Sequence, residues 1–197
     1  LNIFIDELCK LYNGENLSEV KTTYKDYAYY EKEQIKTGKL NEAEKYWVQK
    51  FEGEVPVLSM PTSFKRPAVQ SFEGNKIYTS IDTNTKNQIE KISKELEITP
   101  YMILISVYYI LLSKYTSQDD IVVGTPSVAR ENAEIQNIIG MFVNTLALRQ
   151  NIDNKLSFKE FVMQVKENLL NSYKYQTYPF DELVNKLNVK RDTSRNP

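Results

Sequence analysis

The run Ile139-Gly140-Met141-Phe142-Val143-Asn144-Thr145 sets a glycine and an asparagine inside an otherwise apolar stretch. Glycine lets another group approach the backbone closely, and an asparagine amide donates and accepts hydrogen bonds at once. A plain bend into a strand is the other reading of the run. Upstream, Arg130 is the first basic residue after Ile121-Val122-Val123-Gly124-Thr125-Pro126. Its planar fork suits a buried carboxylate, whereas solvation would leave it without a role. Gly124-Thr125-Pro126 after an apolar strand is either a ligand loop, since strand ends of α/β sheets bind ligands, or a simple turn. Tyr175-Gln176-Thr177-Tyr178-Pro179-Phe180 gathers aromatic rings around a proline, for which core packing is the plainer reading.

One residue type is missing altogether, because the chain has no histidine. That removes Ser-His and Cys-His nucleophile pairs, histidine bases and histidine metal sites together. Chemistry by this chain alone must use carboxylates, Lys, Tyr, Arg or backbone groups, and no metal site is expected. The single cysteine, Cys9, cannot form an internal disulfide, and its place beside Leu8 and Leu11 predicts a small buried hydrophobe. Such cysteine usage points to a reducing compartment and to the cytoplasm. A net charge of -1 gives no field for nucleic acid, and the fourteen tyrosines come without a basic groove to make a stacking platform. The most apolar run, Tyr101 to Leu112, is shorter than the roughly 20 residues of a membrane span, so a buried helix is expected and no membrane partner.

These residues need elements to position them. With 197 residues and a 41% hydrophobic share, the chain suits one compact domain or large subdomain. Apolar spacing predicts helices over Leu1–Tyr12, Tyr24–Lys36, Asn41–Phe51 and Thr83–Glu97. Thr99-Pro100 starts a helix to about Tyr115 that is apolar nearly all round and expected to be central. Ser157 with Glu160 forms a capping box for a helix to about Tyr173, and a last short helix runs from Pro179-Phe180 to Leu187. Asn75–Asp82, Ile121–Val123 and Thr145–Arg149 read as strands, with Ile121–Val123 expected in a parallel arrangement. Pro56, Pro61 and Pro67 make Val55–Phe72 an ordered extended connector. Glu131–Asn137 reads as a loop or short helix, and Lys190–Pro197 as a polar tail.

The order of five segments carries more than any one of them. Tyr24-Lys25-Asp26-Tyr27-Ala28 resembles the "YxDYA" motif of nonribosomal peptide synthetase condensation domains. Pro61-Thr62-Ser63-Phe64-Lys65-Arg66-Pro67 with Gln70-Ser71-Phe72-Glu73-Gly74 resembles that family's proline-rich connector. Ile139 to Thr145 with Arg149 is similar to "IGxFVNTxxxR". Gln176 with Tyr178-Pro179-Phe180-Asp181 is similar to "QDYPFE", with Thr177 in place of Asp and Asp181 in place of Glu. Arg191-Asp192-Thr193-Ser194-Arg195-Asn196-Pro197 matches "RDxSRNP".

The resemblance implies an α/β fold, a chloramphenicol-acetyltransferase-like α/β sandwich forming the C-terminal half of a condensation domain over residues 1–197. The N-terminal half, with the family's "HHxxxDG" motif, would precede Leu1, which begins in apolar register without an initiator methionine. In the family, the two halves enclose a tunnel, and an acceptor amine attacks a donor thioester to form an amide. The implied partners are peptidyl carrier proteins, the N-terminal half and neighbouring synthetase domains. No cofactor is implied on the chain itself; 4'-phosphopantetheine arms belong to the carriers. Arg130 matches the arginine that pairs with the aspartate of the missing motif, so here it must be solvated or re-paired. Gly140, Phe142 and Asn144 become candidates for lining the tunnel. No residue inherits the catalytic histidine, so the chain alone is expected to be inactive. The alternatives are a non-catalytic module that docks a carrier protein or neighbouring domain, and an acyltransferase of the same superfamily acting on other acceptors.

Overall fold

The computed structural model describes residues 1–128, 130, 135–189 and 192–195. Its elements follow in the order α1 (Asn2–Tyr12), α2 (Tyr24–Lys36), α3 (Asn41–Lys50), α4 (Thr83–Leu96), α5 (Pro100–Thr116), β1 (Asp120–Val128), β2 (Val143–Asn151), α6 (Phe158–Lys174) and α7 (Phe180–Lys186). Local chemistry fixes several of these ends. Thr23 and Asp26 cap α2 reciprocally, as Ser157 and Glu160 cap α6. The Asp82 carboxylate accepts from Thr85 N at the start of α4, and Thr99 with Pro100 opens α5.

The two strands pair antiparallel, with Ile121 opposite Gln150 and Thr125 opposite Leu146. On one face, Ile121, Thr125, Leu146, Leu148 and Gln150 are buried, with α5 and α6 packed there. Tyr109 of α5 donates to Leu148 O at 2.8 Å, and burial pushes its phenol far above the usual range. The opposite face presents Val122, Gly124 and Ala147 to a cavity of about 780 Å³, walled also by the connector and α7. Trp47 of α3 and Phe51, which caps its C-terminal end, join the same hydrophobic core.

The expectations for four parts of the chain need correction. β1 is antiparallel to its neighbour and runs through Gly124-Thr125-Pro126, which is strand and not turn. Its apolar run reflects cover on both faces, and burial on both faces does not set strand direction. Asn75–Asp82 is no strand: β1 and β2 pair with each other, neither pairs with it, and Ile77 is 93% exposed. Alternation makes a segment fit a ladder but supplies no partner. Cys9 is exposed, because α1 buries none of its residues. Only one side of α5 is buried, while Leu104, Val107, Tyr108 and Leu111 lie on its open side. The connector's first half is held as expected of an ordered segment, with Val55 and Leu58 packed against the core and Gln118 accepting from Ser59 N and donating to Val57 O. Most of the expected loop over Glu131–Asn137 and part of the Lys190–Pro197 tail lie outside the described residues. Among the described residues no single helix is long and apolar enough to cross a membrane.

Candidate functional site

The start of α2 and the segment before β2 lock into each other. Tyr24 donates from its hydroxyl to Met141 O at 2.8 Å, and its ring meets Phe142 edge-on at 5.2 Å between centroids. Tyr27, one turn further along α2, meets Phe142 from another side at 4.6 Å. The glycine of the run is required by this contact, since a Cβ on Gly140 would fall 2.3 Å from Cδ2 of Tyr24. Gly140→Ala is expected to cost about 1–2 kcal/mol by overpacking. Urea unfolding would show it, and adding Tyr24→Ala should remove the part due to the clash. A loss in the double variant equal to the sum of the single ones would sink the contact argument.

Arg130 completes this cluster. Its guanidinium lies 3.9 Å from the centre of the Phe142 ring, and Nη1 donates to Ile135 O at 2.6 Å and Gln136 O at 2.9 Å. No described carboxylate pairs with it; carbonyls and a ring face take that place. With Gly140 and Met141 it lines a cavity of about 230 Å³ against Leu1, Ile3 and Phe4. Phe142 is buried beneath this cavity, 4% exposed, and lines neither cavity. Beside Tyr27, burial and then the nearby charge of Asp181 raise the Glu31 carboxyl above its usual range, while the Tyr27 hydroxyl works against that shift.

Asn144 sits two residues further on, in β2, and its amide is fully used. Nδ2 donates to Gln176 O at 2.8 Å and Tyr178 O at 2.7 Å, while Oδ1 accepts from Thr145 N and Phe180 N. The residue therefore pins the bend that leads into α7 to the strand, leaving no donor or acceptor free for a passing substrate. Gln176 itself accepts from the Ser127 hydroxyl of β1. Tyr178 donates to Glu44 of α3, and burial with the nearby carboxylates pushes its phenol up to about 12.

The connector closes in the same manner on the chain's last described residues. Arg66 Nη1 donates to Ser194 O, Gln70 N to Thr193 O, and the Thr193 hydroxyl to Ala68 O. Asp192 accepts from the Ser194 hydroxyl and amide and from Arg195, which hold its carboxyl down at about 2. Arg191, Asn196 and Pro197 of this motif lie outside the described residues.

The structure brings Arg130, Gly140 and Phe142 into one cluster with Tyr24 and Tyr27, and Asn144 into a second with Gln176, Tyr178 and Phe180. Sequence reasoning gave no role to Tyr24, although its spacing before Asp26 and Ala28 within a motif was the available signal. Among the described residues no three potential ligands gather for a metal. The arrangement of the described residues holds backbone segments in place.

A family model described as "Condensation domain" matches residues 1–197. The chain belongs to the condensation-domain family. Bacitracin synthase 1 of Bacillus licheniformis is 45% identical to it over 196 residues, which is 100% of this chain and 4% of the synthase. Tyrocidine synthase 3 of Brevibacillus parabrevis is 43% identical over 197 residues, covering 100% of this chain and 3% of that protein. A solved four-domain nonribosomal peptide synthetase bound to AMP and glycine superposes with a TM-score of 0.76 at 31% identity, over 79% of this chain and 12% of that one. The X-domain complexed with OxyB from teicoplanin biosynthesis gives a TM-score of 0.91 at 19% identity, over 100% of this chain and 46% of that one, and bears on the fold alone. The expected family and its α/β fold are thus borne out. This condensation-domain chain spans only a few per cent of the curated relatives' length.

Proposed function

We propose that this chain is the C-terminal part of a condensation domain that joins two carrier-borne thioesters. The acceptor amine attacks the donor carbonyl, the C–N bond forms, the C–S bond breaks, and the donor's phosphopantetheine thiol leaves with the proton shed by the amine. The observation that carries the reading is the match to the condensation-domain model along the whole chain. The mutual anchoring of its family-like segments supports it. In this reading the chain supplies a wall and no base. Arg130, held by carbonyls and stacked on Phe142, stands at the small cavity where a histidine-bearing segment would have to meet it. The partners are two carrier proteins, the N-terminal half and neighbouring synthetase domains, in the cytoplasm.

The test supplies donor and acceptor aminoacyl groups on separate carrier proteins and follows the acceptor arm by mass spectrometry. The chain alone should form no dipeptidyl product, and the chain joined to a histidine-bearing N-terminal half should form it. Product from the chain alone would overturn its inactivity, and no product from the joined domain would overturn the function. Carrier binding by the joined domain without product would favour the docking module, which the uncovered apolar side of α1 also suits.

A further inference from the structure

Phe142 is the shared surface of three side chains from distant parts of the sequence. Its ring is buried, and the Tyr27 ring meets it at 4.6 Å between centroids and 50°, the Tyr24 ring at 5.2 Å and 80°. The two tyrosines lie 6.0 Å apart, so they brace one another as well as Phe142. Both belong to the first turn of α2, whose start is locked by the reciprocal cap of Thr23 and Asp26. The Tyr24 hydroxyl donates to Met141 O and so fixes the backbone next to Phe142 at the same time. One helix end thus holds both the ring and the chain that carries it.

Arg130 is the fourth member of the stack. Its guanidinium carbon lies 3.9 Å from the centre of the Phe142 ring. A guanidinium carries five N–H donors in one plane. Nη1 spends its two on Ile135 O and Gln136 O. Two bonds from one nitrogen tether that end of the fork, whereas an aromatic face beneath the carbon sets its plane. Among the described residues none takes a bond from Nε or Nη2, and Arg130 lines the cavity of about 230 Å³. Tyr27 lines neither cavity, so what it does there passes through Phe142.

We propose that Tyr27, supported by Tyr24, is a positioning residue for Arg130. Acting through the Phe142 ring, it holds the plane of the guanidinium and with it the direction of the unspent donors at the small cavity. The effect on turnover rests on the reading of this chain as part of a condensation domain; the stack itself does not.

Two readouts test it. In the isotope-labelled 197-residue chain, the Nε–H signal of Arg130, assigned by its loss in Arg130→Lys, reports the stack, because protons over a ring face are shifted upfield. It should lie upfield of the signal of the exposed Arg66. Tyr27→Leu should return it toward the Arg66 position, and Tyr27→Phe, which keeps a ring, should not. A wild-type Arg130 signal at the Arg66 position overturns the proposal. So does a signal that Tyr27→Leu leaves unmoved while urea unfolding shows stability lost, since that is a structural role alone. In the chain joined to a histidine-bearing N-terminal half, Tyr27→Leu should lower kcat about tenfold with the KM for the acceptor carrier changed less than about twofold, and Tyr27→Phe should recover most of the loss. An unchanged kcat in Tyr27→Leu overturns the proposal. No product from the joined wild-type domain overturns the condensation reading instead, and the Arg130 signals then decide the stack. Should Tyr27→Leu fail to fold, Tyr24→Phe replaces it: loss of the bond to Met141 O should move the same signal toward that of Arg66, and an unmoved signal counts against the proposal.

Discussion

Arg149→Ala is expected to lower the free energy of unfolding by roughly 3 kcal/mol. The guanidinium meets Asp120 through Nε at 3.0 and 3.1 Å and through Nη2 at 2.6 Å, tying β2 to the start of β1. Its remaining donors reach Lys50 O, Glu52 O and Glu54 O, the carbonyls by which the chain leaves α3. One side chain therefore anchors the sheet to the connector. The Arg149 side chain is 18% exposed and Asp120 35%, so the ion pair itself is partly screened and is assigned less than half of the loss. The rest comes from carbonyls left without partners. Arg149→Lys should recover less than half, because one ammonium cannot span a carboxylate and three carbonyls. Urea unfolding followed by the fluorescence of Trp47, the chain's one tryptophan, measures both. A loss below 1 kcal/mol (roughly the worth of a surface pair) would show the anchoring to be idle.

Trp47→Ala is expected to cost more, roughly 4 kcal/mol. The indole is 2% exposed, packs against Tyr46 at 5.0 Å, and donates from Nε1 to Tyr175 O at 2.9 Å. Trp47→Phe separates the two contributions. It refills much of the space but leaves the Tyr175 carbonyl unpaired, for an expected loss of about 1–2 kcal/mol. Circular dichroism must replace fluorescence here. Equal losses in the two variants would mean that the hydrogen bond, and not the packing, holds α3 in place.

Helix ends and apolar sides were readable because their causes are local. Thr23 with Asp26 and Ser157 with Glu160 act across three residues, and the spacing of Trp47 and Phe51 marks the buried side of α3. What the sequence could not show is set by partners far along the chain. The four bonds of Asn144 include three to residues 176–180, and the need for Gly140 comes from Tyr24. The strand expected over Asn75–Asp82 does not form, because ladder formation depends on a neighbour that neither β1 nor β2 provides. Cys9 and the open side of α5 failed in the opposite sense, because an apolar face says that cover is favourable and not that cover is present. The family was legible from ordered segments, whose mutual contacts only the coordinates reveal.

The bond from Trp47 to Tyr175 joins residues 128 positions apart, and Tyr46 and Lys50 reach into the same distant helix. On a ribosome adding about 5–20 residues per second, α3 is made roughly 6–26 seconds before its partner exists. During that interval the aromatic side chains of α3 are available to chaperones and to neighbouring nascent chains. The joining of α3 to α6 is thus a late event in biosynthesis, and a pause in translation between α3 and α6 would lengthen the time for which this part of the protein is open to aggregation.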